Sequence, residues 1–143
     1  MAVSPSLIAE AIRWRRDFHA CPELGYQEQE TSRRVAELLA SFGLQVHSGL
    51  AGTGVVATLE NGPGPVIGLR ADMDALPIAE QSDVDYKSRN PGVMHACGHD
   101  GHSAMLLAAA AHLAQTRRFR GTVHFVFQPA EENLRSPDRK SVV

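Results

Sequence analysis

The chain has 143 residues, 43% of them apolar and 21% charged, with a formal net charge of −2. That length supports one domain with its own core and would crowd two. The charge balance gives no footprint for nucleic acid or an anionic membrane, and the uncharged, Ala- and Leu-rich run Gly101 to Thr116 is too short to cross a bilayer.

Met1 to Pro5 has no basic stretch leading into an apolar one, so no secretory signal is expected and the expected location is cytoplasmic. Two cysteines do not make a disulfide framework, and Cys21 and Cys97 read as separate reduced thiols. Ser6 to Cys21 is predicted as a helix. Leu7, Ile8, Ala11, Ile12, Arg15 and Phe18 follow helical spacing, with Ser4 or Ser6 as N-cap. Arg13, Arg15 and Arg16 read as a solvated basic face, because neither an aromatic platform nor a Gly-rich loop accompanies them. His19 reads as a structural, hydrogen-bonded histidine rather than a ligand. Pro22-Glu23-Leu24-Gly25 breaks the helix.

A second helix is predicted over Thr31 to Phe42, with Val35, Leu38, Leu39 and Phe42 on one face and Gly43 as its stop. Leu44 to His47, Thr53 to Leu59 and Val66 to Arg70 are predicted strands, with a turn at Asn61 to Pro65. The near-continuous apolar run of the third suits a strand buried on both faces. Glu80 to Pro91 is polar and reads as a loop. Gly101 to Leu113 is predicted as a helix with Met105, Leu106, Ala109 and Leu113 on its apolar side. Thr122 to Gln128 alternates and is predicted as a strand. The fold class is therefore α/β, with its chemistry gathered at strand ends.

Asp72 and Asp74 follow the third predicted strand. Two carboxylates there are unusual unless paired or bound, and ligands collect at the carboxyl ends of strands in open α/β sheets; an Asx-turn is the plainer alternative. His95-Ala96-Cys97-Gly98-His99-Asp100-Gly101-His102 places a thiol, imidazoles and a carboxylate together. Cys97 and His99 can face one metal ion, and Gly98 between them removes a side chain that would obstruct closure. The start of the following helix would help hold Cys97 as thiolate. Taken alone, the pair reads equally well as a buried thiol and a capping imidazole.

Glu131-Glu132 changes that balance. Adjacent carboxylates at a strand end repel, and a cation between them resolves the conflict. One can ligate while the other takes a proton from water; an exposed turn is the alternative. A nucleophilic cysteine served by His95 or His99 is the rival class, and it leaves both acidic pairs unexplained. Ser103 lacks the strand–turn context of a serine hydrolase.

Four stretches have a familiar form: Arg16 to Gly25, Gly68 to Ile78, Met94 to His102 and Phe127 to Glu132. In order and at family-like spacing they closely resemble the amidohydrolase branch of the M20 metallopeptidase family, which includes hippurate hydrolase, N-acyl-L-amino-acid amidohydrolases and auxin-conjugate hydrolases. The resemblance covers residues from about 7 to about 134. It implies hydrolysis of N-acyl amino acids at a site of two divalent cations, zinc or manganese first, with cobalt or nickel also fitting. Cys97 would bridge the cations, His99 and Glu132 would be ligands, and Glu131 the general base. Asp74 would support the ligands from behind, and Asp72 is left outside the ligand set. The expected partner is a small N-acyl amino acid, without nucleic acid or membrane; whether the intact enzyme is a homo-oligomer is left open.

The resemblance also implies missing parts: two further histidine ligands, a lid and dimerisation domain, and the second half of the catalytic domain. The expected organisation is a partial catalytic domain over 1–134, a mixed sheet flanked by helices, and a polar, disordered tail unlike the family over 135–143. The chain is then expected to be an N-terminal fragment, inactive alone. Two readings stand: a metallo-amidohydrolase, and a non-catalytic remnant that binds at most one metal ion weakly.

Overall fold

A computed structural model describes residues 3–135 of the chain, with side chains described to Asn133. The expected tail therefore lies outside the described residues from 136 onward. Helix α1 spans Pro5–Ala20. Pro5 opens it, where a missing N–H costs nothing, and the Ser4 hydroxyl accepts from the Leu7 amide at 3.2 Å. Ser4, not Ser6, is thus the cap. Its core side is made by Leu7, Trp14 and Phe18, with Trp14 tilted against Phe42 at 5.8 Å between ring centroids. Ile8 and Ile12, expected on the core side, stay half exposed. The helix carries more apolar side chains than one face holds, and the bulkier Trp14 and Phe18 take the core. Ile8 and Ile12 line an open cleft with Met105.

Helix α2 spans Gln29–Ser41 and buries Val35 and Leu39. It ends as its sequence predicts. Gly43 takes φ +80°, its amide donates to Ala40 O at 2.9 Å, and the Leu44 amide donates to Leu39 O at 3.3 Å.

The four strands are β1 (Gln45–Leu50), β2 (Gly54–Asn61), β3 (Val66–Asp72) and β4 (Gly121–Gln128), with helix α3 (His99–Thr116) between the last two. They form one mixed sheet in the order β1-β2-β4-β3. β1, β2 and β4 pair antiparallel, while β3 and β4 run parallel, in register from Val66↔Thr122 to Asp72↔Gln128. A parallel pair needs a crossover, and α3 supplies it. Alternation buries Val55, Ala57, Leu59, Val123, Phe125 and Phe127 with the helices in one core, while the opposite side chains of β4 are only half buried.

Two expectations need correcting. β3 is not buried on both faces. Among the described strands it is an edge, and Val66 and Ile67 are 64% and 50% exposed. Only its end, Ala71 and Asp72, is buried. The core side of α3 is also rotated from the expected one. Ser103, Ala104, Leu106, Leu107, Ala110 and Ala111 are buried while Met105 is exposed; an Ala- and Leu-rich helix presents apolar atoms all round, so its pattern does not select a side.

Candidate metal centre

Parallel pairing of β3 with β4 brings two strand ends out side by side, and α3 begins beside them. Pairing persists one residue further, where the Met73 amide donates to Gln128 O at 3.0 Å. Asp74 therefore leaves β3 next to Glu131 and Glu132, which leave β4. Gly98 opens α3 in the left-handed region at φ +85°. Nothing lies within 4 Å of where its Cβ would stand. The glycine is needed for the backbone turn between Cys97 and His99, not for room as expected.

Asp74 is the hub of the centre and is buried. His99 Nδ1 lies 2.8 Å from the Asp74 carbonyl oxygen and 3.2 Å from its Oδ1, so the ring donates there and turns Nε2 outward. The Glu132 amide donates to Asp74 Oδ2 at 2.9 Å. Burial pushes the Asp74 carboxyl up, but the His99 hydrogen bond and backbone amides outweigh it and hold it below its ordinary range. Burial likewise pushes His99 down, yet Asp74 and Asp72 outweigh it and raise the imidazole above its ordinary value.

Cys97, His99 and Glu132 come together, each offering a donor atom within 4.8 Å of the others. His99 Nε2 stands 3.9 Å from Glu132 Oε1 and 4.0 Å from Glu131 Oε2. These separations are too long for hydrogen bonds and suited to sharing a cation. Glu131 is beside the group and more exposed than Glu132. Asp72 also reaches this group: its Oδ1 lies 3.6 Å from His99 Nε2 and 2.6 Å from His102 Nδ1.

Cys97 is expected as a thiolate, but in the metal-free chain its surroundings push the other way. The hydrogen bond to Glu132, with burial and the charges of Glu132, Glu131 and Asp72, pushes the Cys97 thiol above its ordinary value. Those carboxylates oppose ionisation, and a bound cation would favour it. A thiol raised in this way is also the reverse of an activated cysteine nucleophile. One thiol, one imidazole with its second nitrogen held, and one carboxylate fit a borderline divalent cation. Three donors leave coordination positions open for water or substrate.

His95 does not join the group. It is buried behind, 6.5 Å from the His19 ring, with no protein partner for either nitrogen among the described residues. Burial there, with His19 and His99 nearby, pushes it down to about 4. His19 is structural, as its reading expects: Nδ1 pairs with Asp100 Oδ2 at 2.8 Å and Nε2 with Glu80 Oε1 at 3.0 Å. Arg15 leaves the expected basic face to donate to the same Asp100 oxygen at 2.9 Å.

Two supports were not visible from motif spacing. The buried Glu28 carboxylate accepts from the Thr53 hydroxyl at 2.6 Å and from the Ala130 amide at 2.8 Å. It thereby holds Ala130, at φ +53°, directly before the glutamate pair. Gly25 leaves room for the same segment; a Cβ there would stand 2.6 Å from Asn133 Nδ2 and 3.0 Å from Ala130 Cα. The two glutamates thus rest on the segment between α1 and α2.

Residues 68–140 match the model of peptidase family M20/M25/M40. The chain is 52% identical over 125 residues to an N-acyl-L-amino acid amidohydrolase of Geobacillus stearothermophilus, covering 86% of this chain and 34% of that protein. It is 50% identical over 129 residues to a hippurate hydrolase of Campylobacter jejuni, covering 90% and 33%. The fold matches a solved Bacillus subtilis protein described as a dinuclear metal binding peptidase of the M20 family. That match has a TM-score of 0.86 and 42% identity, and covers 90% of this chain and 37% of that one. The chain spans about a third of the length of the curated relatives it matches. Among the described residues no helix is long and apolar enough to cross a membrane.

Proposed function

Because the chain belongs to peptidase family M20/M25/M40, a family of hydrolytic enzymes, we propose that the protein hydrolyses the amide bond of N-acyl amino acids at a centre of two divalent cations. The observation that carries this is the convergence of Cys97, His99 and Glu132 within 4.8 Å, with Glu131 beside them. Cys97, His99 and Glu132 would hold the cations. When bound, the cations supply polarisation of the amide carbonyl and acidification of water. Glu131, free of hydrogen bonds to the ligands, takes the proton from water and passes it to the leaving amine. Asp74 holds the His99 ring with Nε2 toward the ligands and fixes the Glu132 backbone. The relatives named for N-acyl amino acids and hippurate support this substrate class.

A second reading has its own support. Among the described residues each donor group contains three side chains, fewer than two cations need with positions left for water and substrate. On that reading the 143 residues hold one cation and do not turn over. The test is release of free amino acid from N-benzoylglycine and N-acetyl amino acids by the metal-restored protein. Turnover that a chelator abolishes, and that Glu131→Gln lowers about 10²–10⁴-fold, supports hydrolysis with this base. Stoichiometric binding without turnover supports the second reading. Turnover indifferent to chelators and stopped by thiol alkylation would replace both.

A further inference from the structure

We propose that the chain carries a second, thiolate-free seat for a divalent cation, built by Asp72, His99 and His102, which shares His99 with the Cys97 seat and excludes it. His99 and His102 lie three residues apart in the first turn of α3, a spacing that sets both rings over one side of the helix. The ring centroids are 5.5 Å apart and the planes differ by 31°. Asp72, at the buried end of β3, faces both. Donor atoms of the three lie within 4.8 Å of one another.

The spacings match coordination. Ligands about 2.1 Å from one ion stand roughly 3.0–3.4 Å apart. Asp72 Oδ1 is 3.6 Å from His99 Nε2 and 2.6 Å from His102 Nδ1. The ion takes the place of the proton that His102 donates to Asp72, and the short pair opens by a few tenths of an ångström. Arg70 Nη2 is 3.4 Å from Asp72 Oδ2 and leaves Oδ1 toward the histidines. That guanidinium and the positive end of α3 oppose a cation; Asp72 itself, with Glu131 and Glu132 nearby, offsets them.

Exclusion follows from His99. Its Nδ1 is committed to Asp74, so Nε2 is the one nitrogen it can give, and among the described residues Nε2 makes no hydrogen bond. It lies 3.6 Å from Asp72 Oδ1 and 3.9 Å from Glu132 Oε1, and one lone pair serves one ion. Two imidazoles and one carboxylate, without sulfur, suit cobalt, nickel or zinc with open positions for water. The seat shares His99 with the proposed hydrolytic centre but does not require hydrolysis.

Cobalt(II) titration of the purified 143-residue chain tests the proposal, with far-ultraviolet circular dichroism of each variant to establish its fold. The wild type should bind cobalt with a sulfur-to-cobalt charge-transfer band. Cys97→Ser should lose that band and still bind one cobalt through d–d absorption. Adding His102→Ala, or the isosteric Asp72→Asn, to Cys97→Ser should then weaken binding about tenfold or more. His102→Ala alone should keep the charge-transfer band. Loss of all cobalt binding in folded Cys97→Ser overturns the seat, as does a double variant that binds as tightly as Cys97→Ser. A wild-type chain that shows the charge-transfer band and also binds a further cobalt ion that His102→Ala removes overturns the exclusion. None of these readouts depends on amide hydrolysis.

Discussion

Two histidine–carboxylate clusters meet at the first turn of α3, and they are wired in opposite ways. Behind the turn, His19 commits both ring nitrogens to Asp100 and Glu80, Arg15 shares the Asp100 oxygen, and Glu80 also accepts from Ser82 and the Ser88 amide. Those donors outweigh the opposing effect of burial and hold the Glu80 carboxyl down at about 2. In front, His99 Nε2 and the two glutamates face one another at 3.9 and 4.0 Å without hydrogen bonds. The residue types are nearly the same. A cluster whose polar atoms are spent on the protein locks loop to helix, whereas one that leaves donors at ligand spacing is ready for a cation.

The sharpest way to break this comparison is Asp100→Ala. It strips buried His19 of one partner and leaves Arg15 facing a hole, so we expect a loss of about 3 kcal/mol in urea unfolding. A loss under about 1 kcal/mol would mean the rear cluster is not the lock described. Glu28→Gln comes next, at about 1–3 kcal/mol, because an amide cannot accept from both the Thr53 hydroxyl and the Ala130 amide as the carboxylate does. The same change should weaken cobalt binding at the Cys97 seat, since Ala130 leads directly into Glu131 and Glu132. Unchanged affinity would separate the glutamates from their support.

The pH dependence of the metal-free chain sharpens the comparison, because the two clusters carry opposite signs. His95, behind, is held neutral by burial down to about 4. The unfolded chain then binds the extra proton first, and stability falls as pH drops from the ordinary 6.5 to about 4. His99, in front, is raised by Asp74 and Asp72 against its own burial. Its contribution is complete below 6.5 and is lost as pH rises through its raised value. Thermal midpoints across that range should flatten on the acid side in His95→Gln and on the alkaline side in His99→Gln. The same slope in both variants would refute the assignment.

Much of this arrangement was legible in the sequence. Alternation predicts β4, Gly43 predicts the end of α2, and donor chemistry alone groups the thiol, imidazole and glutamates, of which the fold brings Cys97, His99 and Glu132 within 4.8 Å. Other features were not legible, for physical reasons. Val66 and Ile67 read the same in a central strand as at an edge, since an apolar run does not say how many neighbours a strand has. Glu28 acts on a backbone amide 102 residues away, where no local pattern records the pairing. His95 and His99 share one dense motif yet separate, one without a polar partner among the described residues and one beside Cys97 and Glu132. The left-handed turn at Gly98 that sets the direction into α3 is permitted by glycine but not dictated by it.

The smallest stability effect is expected at Cys97, proposed above as a metal ligand. Cys97 is exposed, and its thiol proton faces a carboxylate that opposes ionisation. Cys97→Ser keeps a neutral donor beside that carboxylate and removes no core packing, so metal-free unfolding should move by no more than about 0.5 kcal/mol. With cobalt present the comparison changes. Bound metal adds stability that grows with the ratio of free metal to Kd, and the thiolate contributes strongly to that Kd. Wild type and Cys97→Ser should therefore unfold together without metal and apart with it. If they separate without metal, Cys97 belongs with the rear cluster as a structural residue, and the division between lock and seat has been drawn in the wrong place.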